Sequence, residues 1–147
     1  MGSGWENLKI QLALKGLREF LGDQNVFVNL QTGFGKSLIF QCLPIATDAL
    51  FERLRGSSVI VVVSPLCSLM KDQVLYLTNL GVPAVAIVGE EDPEIIQQVH
   101  NGTYEVVYDS PDCLLSTQTW RSIFECEDFK EKLIGRSCSR RFLSSFE

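Results

Sequence analysis

The hydrophobic positions of this 147-residue chain fall into blocks whose period changes several times. Leu8, Leu12, Leu14, Leu17 and Leu21 recur at near-helical spacing and predict an amphipathic helix up to about Leu21. Gly22-Asp23-Gln24-Asn25 is turn chemistry, and Val26-Phe27-Val28 reads as a short buried strand. Gly33-Phe34-Gly35 then leads into a second helix through about Leu54. After a break at Gly56-Ser57-Ser58 comes the strongest strand signal in the chain, Val59-Ile60-Val61-Val62-Val63. A helix is predicted from Leu66 to Leu80, closed by Gly81, then a third strand from Val82 to Val88. A helix over Pro93 to His100 precedes a fourth strand, Tyr104-Glu105-Val106-Val107-Tyr108, and Leu114 to about Leu133 is helix or loop. Strands without alternation, separated by helical stretches, belong to a parallel sheet covered on both faces. The fold class is therefore α/β. Residues 135–147 break the order: they are rich in serine, carry Arg136, Arg140 and Arg141, and show neither period. They read as a divergent, unstructured tail behind a domain of residues 1–134.

Composition narrows the class further. A hydrophobic share of 46% against 21% charged is globular rather than disordered, and the length suits one domain. The net charge of −5 means that general electrostatic attraction would not hold nucleic acid, so any such contact must be local. No apolar run is long enough for a membrane span, and the start Met1-Gly2-Ser3-Gly4-Trp5-Glu6 lacks the regions of a signal peptide. Five cysteines without a Cys-x-x-Cys pair point to reduced, mostly packed thiols in an intracellular protein. His100, the single histidine, stands in a polar stretch and reads as a surface residue.

Thr32-Gly33-Phe34-Gly35-Lys36-Ser37 lies between a strand and a helix, where a phosphate-binding loop must lie. The glycines let several backbone N–H groups face one anion, and the helix start adds unpaired donors and the positive end of its dipole. In such a loop Lys36 would reach the outer phosphates of ATP and the Ser37 hydroxyl would hold Mg²⁺. The general pattern also wants glycine at position 30, where this chain has Leu30. The alternative is a glycine turn beside a solvated lysine.

A more specific string follows the second strand. Ser64-Pro65-Leu66-Cys67-Ser68-Leu69-Met70-Lys71-Asp72-Gln73 strongly resembles motif Ia of RecQ-family DNA helicases. Ser37 to Pro44 is similar to the family's segment after motif I, and Tyr108-Asp109-Ser110-Pro111-Asp112-Cys113-Leu114-Leu115 resembles its motif Ib region. The resemblance covers about Leu8 to Ile134 and implies part of a RecA-like lobe. It places ATP on Thr32, Gly33, Phe34, Gly35, Lys36 and Ser37, with Gln11 as the candidate for reading adenine. It places single-stranded DNA along Ser64, Pro65, Leu66, Ser68, Lys71, Ser110 and Pro111. Leu66, Leu69 and Met70 also have a plain reading as helix core, and Lys71 as a solvated charge. Gln31 departs from the family's proline before Thr-Gly, and Gln11 lies about two residues too far from Lys36.

The resemblance also implies an Asp-Glu-x-His strand after Leu133-Ile134, where this sequence instead reads Gly135-Arg136-Ser137. The lobe is thus expected to be incomplete, with no catalytic residue of its own. It would act as an ATP-binding and DNA-contacting part of a nuclear helicase of repair or recombination. The rival readings are a nucleotide-binding module without turnover and a product without function. The strand missing beside the phosphate loop should leave an unpaired apolar edge and promote self-association.

Overall fold

The computed structural model describes residues 36–64, 66–88, 92–116 and 118–133, with 26–28, 142–144 and helical positions 4, 7, 8, 11, 14, 15 and 18. In chain order the elements are β1 (Val26–Val28), α1 (Lys36–Leu50), β2 (Ile60–Val63), α2 (Cys67–Asn79) and β3 (Ala84–Ile87). There follow α3 (Pro93–His100), β4 (Val106–Asp109), α4 (Pro111–Ser116), α5 (Gln118–Glu125), α6 (Glu127–Lys132) and β5 (Phe142–Ser144).

β2, β4 and β3 form one parallel sheet in that order, with Ile60 and Ala84 both opposite Val106. Successive residues of a strand face opposite sides, so an apolar run must be covered twice. On one side Ile60, Val62, Ala84, Val106 and Tyr108 pack with Phe40 and Leu43 of α1 and Met70 and Leu77 of α2. On the other, Val59, Val85, Ile87 and Val107 pack with Val99 of α3, Trp120 and Ile123 of α5, and Phe129 of α6. The expected α/β class, a parallel sheet with helices on both faces, is what these two cores build. Phe40, Tyr108, Trp120 and Phe129 are fully buried. Truncating a ring of this kind to alanine costs about 3–5 kcal/mol.

Element ends shift for identifiable reasons. The first of the described long helices stops at Leu50 rather than Leu54, because Asp48 recaptures the chain. Its buried carboxylate accepts from Gly56 N (3.0 Å) and Ser57 N (3.2 Å) with Oδ2, and from Ser58 Oγ (2.5 Å) with Oδ1. Three successive donors fold the turn back into β2. α2 and α3 both close on glycine. Val82 N reaches Leu77 O (2.9 Å) and Gly81 N reaches Thr78 O (3.0 Å), and Thr103 N to Gln98 O with Gly102 N to Val99 O (both 3.0 Å) repeats the pattern. That crossed pair of bonds needs a left-handed residue, and Gly81 and Gly102 have φ of +80° and +73°. The stretch left open between helix and loop is helical throughout most of its length, as α4, α5 and α6.

Several expectations need correction. Leu8 and Leu14 of the predicted amphipathic helix are helical and exposed; Leu12, Leu17 and Leu21 lie outside the described residues. Leu66, given a core reading, is 52% exposed, whereas Met70 is fully buried. His100, read as a surface residue, is half-buried in the last turn of α3. Within the tail read as unstructured, Phe142–Ser144 form β5, which pairs in parallel with β1, Val26 opposite Phe142. β1 therefore has a neighbour on one edge, supplied by the segment in which no strand period was legible.

Candidate nucleotide and nucleic-acid site

Connectivity brings two of the sequence motifs to one end of the molecule. β1 ends at Val28 and α1 begins at Lys36, so the chain between them leads from a strand into a helix start. Lys36 and Ser37 occupy the first two positions of α1, where backbone N–H groups have no partner within the helix. Thr32, Gly33, Phe34 and Gly35 lie outside the described residues. The other end of α1 is tied by Asp48 to the turn that enters β2. The start of α1 thus points toward the carboxyl end of β2, the side on which open α/β sheets hold their ligands.

At that carboxyl end the second and third motifs meet. β2 and β4 are direct neighbours, and Ser64 N donates to Asp109 O at 2.9 Å just past their last paired residues. Ser64 is buried, and its Oγ accepts from Leu66 N at 3.4 Å, turning the chain toward α2. Pro65 lies outside the described residues. Leu66, Ser68 and Lys71 are exposed on the opening turns of α2. Ser110 caps α4: its Oγ accepts from Cys113 N at 3.3 Å, Pro111 takes the first helical position, and Asp112 lies in the first turn. The cap uses one lone pair of the hydroxyl and leaves the O–H able to donate to a phosphate oxygen. Gln11, the adenine candidate, is helical and exposed.

A buried carboxylate that sequence reasoning assigned no role holds this end together. Asp109 is fully buried at the end of β4. Its Oδ1 accepts from Ser110 N at 2.6 Å, and its Oδ2 accepts from the indole N–H of Trp120. Burying a carboxylate is expensive unless donors meet it, and here one comes from the loop and one from α5. Asp109 thereby fixes the direction in which Ser110 and Pro111 leave the sheet. No local signal marks Trp120 as its partner, since the two are eleven residues apart. Next to it Tyr108 has its hydroxyl pushed up to about 12 by burial, with a hydrogen bond from Gln41 Nε2 (3.4 Å) acting the other way. Burial also raises the Cys42 thiol above its ordinary range. Cys67, Cys113 and Cys126 form no disulfide among the described residues.

The family model for DEAD/DEAH box helicases matches residues 10–131. The chain belongs to the DEAD/DEAH box helicase family. Within this helicase family its relatives are of RecQ type. It is 36% identical to the ATP-dependent helicase wrn-1 of Caenorhabditis elegans over 112 residues, 75% of this chain and 10% of that protein. It is 40% identical to the bifunctional 3'-5' exonuclease/ATP-dependent helicase WRN of Mus musculus, over 60% of this chain and 6% of that one. With the ATP-dependent DNA helicase RecQ of Synechocystis it shares 35% identity over 68% of this chain and 20% of that protein. The resemblance drawn from motif Ia is borne out. The chain spans about a tenth of the length of the wrn-1 relative it matches.

Proposed function

We propose that this chain binds ATP with Mg²⁺ through residues 32–37 and contacts single-stranded DNA along the carboxyl ends of β2 and β4. It is the nucleotide-binding part of a RecQ-like DNA helicase that acts in the nucleus in repair or recombination. The observation that supports this most is the Ser64–Asp109 hydrogen bond, which sets two motifs distant in sequence side by side at one sheet end. Among the described residues no helix is long and apolar enough to cross a membrane.

The chemistry follows from the residues. The N–H groups at the start of α1 and the Lys36 ammonium would face the phosphates, and Ser37 would hold Mg²⁺ through its hydroxyl. Bound Mg-ATP supplies the energy that a two-lobed helicase converts into movement on DNA. The exposed Ser68 and Lys71 on α2 and the O–H of Ser110 would follow a sugar–phosphate backbone, giving position rather than sequence preference. These 147 residues hold no Asp-Glu-x-His sequence, so taken alone they bind nucleotide without turning it over.

The DNA half of this reading is tested by fluorescence anisotropy with a labelled oligothymidine. Wild type should bind weakly, and more weakly as salt rises. Lys71→Glu combined with Ser110→Ala should lower the affinity about tenfold, an energy of about 1.4 kcal/mol. Equal binding by wild type and variant would refute the placement. Hydrolysis of ATP by the isolated chain, stimulated by the same oligonucleotide, would refute binding without turnover.

A further inference from the structure

The opposite end of the sheet has its own feature, which the proposed function leaves unused. The turn before β2 and the last turn of α6 enclose an open cleft of about 730 Å³, lined in part by Arg53, Leu54, Arg55, Lys130, Glu131 and Lys132. Leu133 pairs with Val59 in a parallel bridge, which fixes that last turn against the entry to β2. The whole of β2, roughly 13 Å at about 3.3 Å per residue, separates the cleft from Ser64.

Four cations share this cleft in a chain whose net charge is −5. Two have carboxylate neighbours: Lys130 Nζ lies 2.9 Å from Glu127 Oε1, and Arg55 Nε lies 3.7 Å from Glu105 Oε1 with the arginine side chain 61% exposed. The other two do not lie in ion pairs among the described residues. Lys132 Nζ donates to the Asn101 carbonyl at 2.9 Å, which orients the ammonium without neutralising it. The Arg53 guanidinium sits 5.7 Å from the centre of the Phe51 ring. Apolar surface adjoins these charges: Leu54, in the lining, is 85% exposed, and Phe51, beside the Arg53 guanidinium, is 57% exposed.

We propose that this cleft docks an extended acidic segment of a partner protein whose carboxylates alternate with aliphatic side chains. Carboxylates meet Arg53 and Lys132, with Arg55 and Lys130 flanking, and the aliphatic side chains cover Leu54. The mixed lining selects a peptide over nucleic acid. A phosphodiester backbone carries a charge at every step and gives Glu131 no donor, whereas a peptide brings N–H groups for Glu131 and apolar groups for Leu54. The proposal goes beyond the nucleotide and DNA reading and shares no residue with it.

The test titrates the full 147-residue chain into a labelled peptide of about ten residues alternating Glu with Leu. A labelled oligothymidine serves as comparison, and thermal melts check the fold of each variant. The acidic peptide should bind and weaken with salt, and Arg53→Glu combined with Lys132→Glu should lower its affinity about tenfold or more. Leu54→Ser, which changes no charge at a position 85% exposed, should weaken the peptide and leave the oligothymidine unchanged. It also decides the matter if the double variant fails to fold. No peptide binding by wild type, or peptide binding that Leu54→Ser leaves unaltered, would overturn the proposal. So would oligothymidine binding that falls as far as peptide binding in a folded double variant.

Discussion

At the residue scale, the proposed ligand end depends on how the fully buried Asp109 carboxylate is satisfied. Asp109 receives the Ser110 amide and the Trp120 indole N–H, so the β4–α4 corner is fixed from two elements. Trp120→Phe keeps an aromatic ring and removes the indole donor that meets Asp109 Oδ2. The expected loss is about 1–3 kcal/mol in urea denaturation followed by circular dichroism. A change within error of zero would mean that the pair does not hold the corner. Glu105 poses the opposite problem. It is buried, its Oε2 has no hydrogen-bond partner among the described residues, and burial holds its carboxyl above the ordinary 4.5, with Arg55 pulling it down and Asp48 pushing it up. A raised folded-state value means that protonation favours the fold. That stability is fully present below pH 4.5 and is lost as the pH rises through the folded value. Glu105→Gln removes the charge at every pH and should raise the melting temperature at neutral pH. Its advantage should close as the pH falls toward 4.5. A variant that melts lower than wild type at neutral pH would contradict the burial argument.

At the element scale, the two glycine-closed helices offer a matched pair of substitutions. A Cβ on Gly81 would meet nothing within 4 Å, so Gly81→Ala carries only the left-handed backbone cost of about 1–2 kcal/mol. A Cβ on Gly102 would lie 2.5 Å from the Lys132 side chain, so Gly102→Ala should cost at least as much and displace Lys132 from Asn101. Thermal melts check both, and a neutral Gly81→Ala would contradict the closing geometry. The closing of α2 by Gly81 was legible because φ above zero selects glycine, and the 59–63 run because a twice-covered strand has to be apolar throughout. The end of α1 was not legible: Asp48 acts on donors eight to ten residues away, and nothing near Leu50 announces it. β5 was hidden for a related reason, since Phe142-Leu143-Ser144 is too short to show a period and gains its state from β1. In the candidate site the motif residues were picked out through the RecQ resemblance, while the Asp109–Trp120 contact joins two elements and exists only in the fold. Leu66 was misread because the chain turns at Ser64 before the helix begins, which leaves it as an exposed cap position rather than a core one.

At the scale of the whole molecule, the parallel sheet gives the chain two unlike ends. The carboxyl ends of β2 and β4 bring hydroxyls, a lysine and the start of α1 toward one region, and the amino end of β2 carries the basic cleft. With a net charge of −5, neither end attracts polyanions through the field of the whole chain, so each depends on local groups. Thermal melts of wild type and Lys36→Ala, each with and without Mg-ATP, decide whether the start of α1, with Lys36 and Ser37, holds the phosphates of ATP as proposed. At a nucleotide concentration about 100 times the dissociation constant, binding adds about 2.7 kcal/mol of stability. A cooperative transition that moves up with Mg-ATP in wild type and stays in place in Lys36→Ala is the expected result. A cooperative wild-type transition that ignores Mg-ATP, or an equal shift in both proteins, would contradict it.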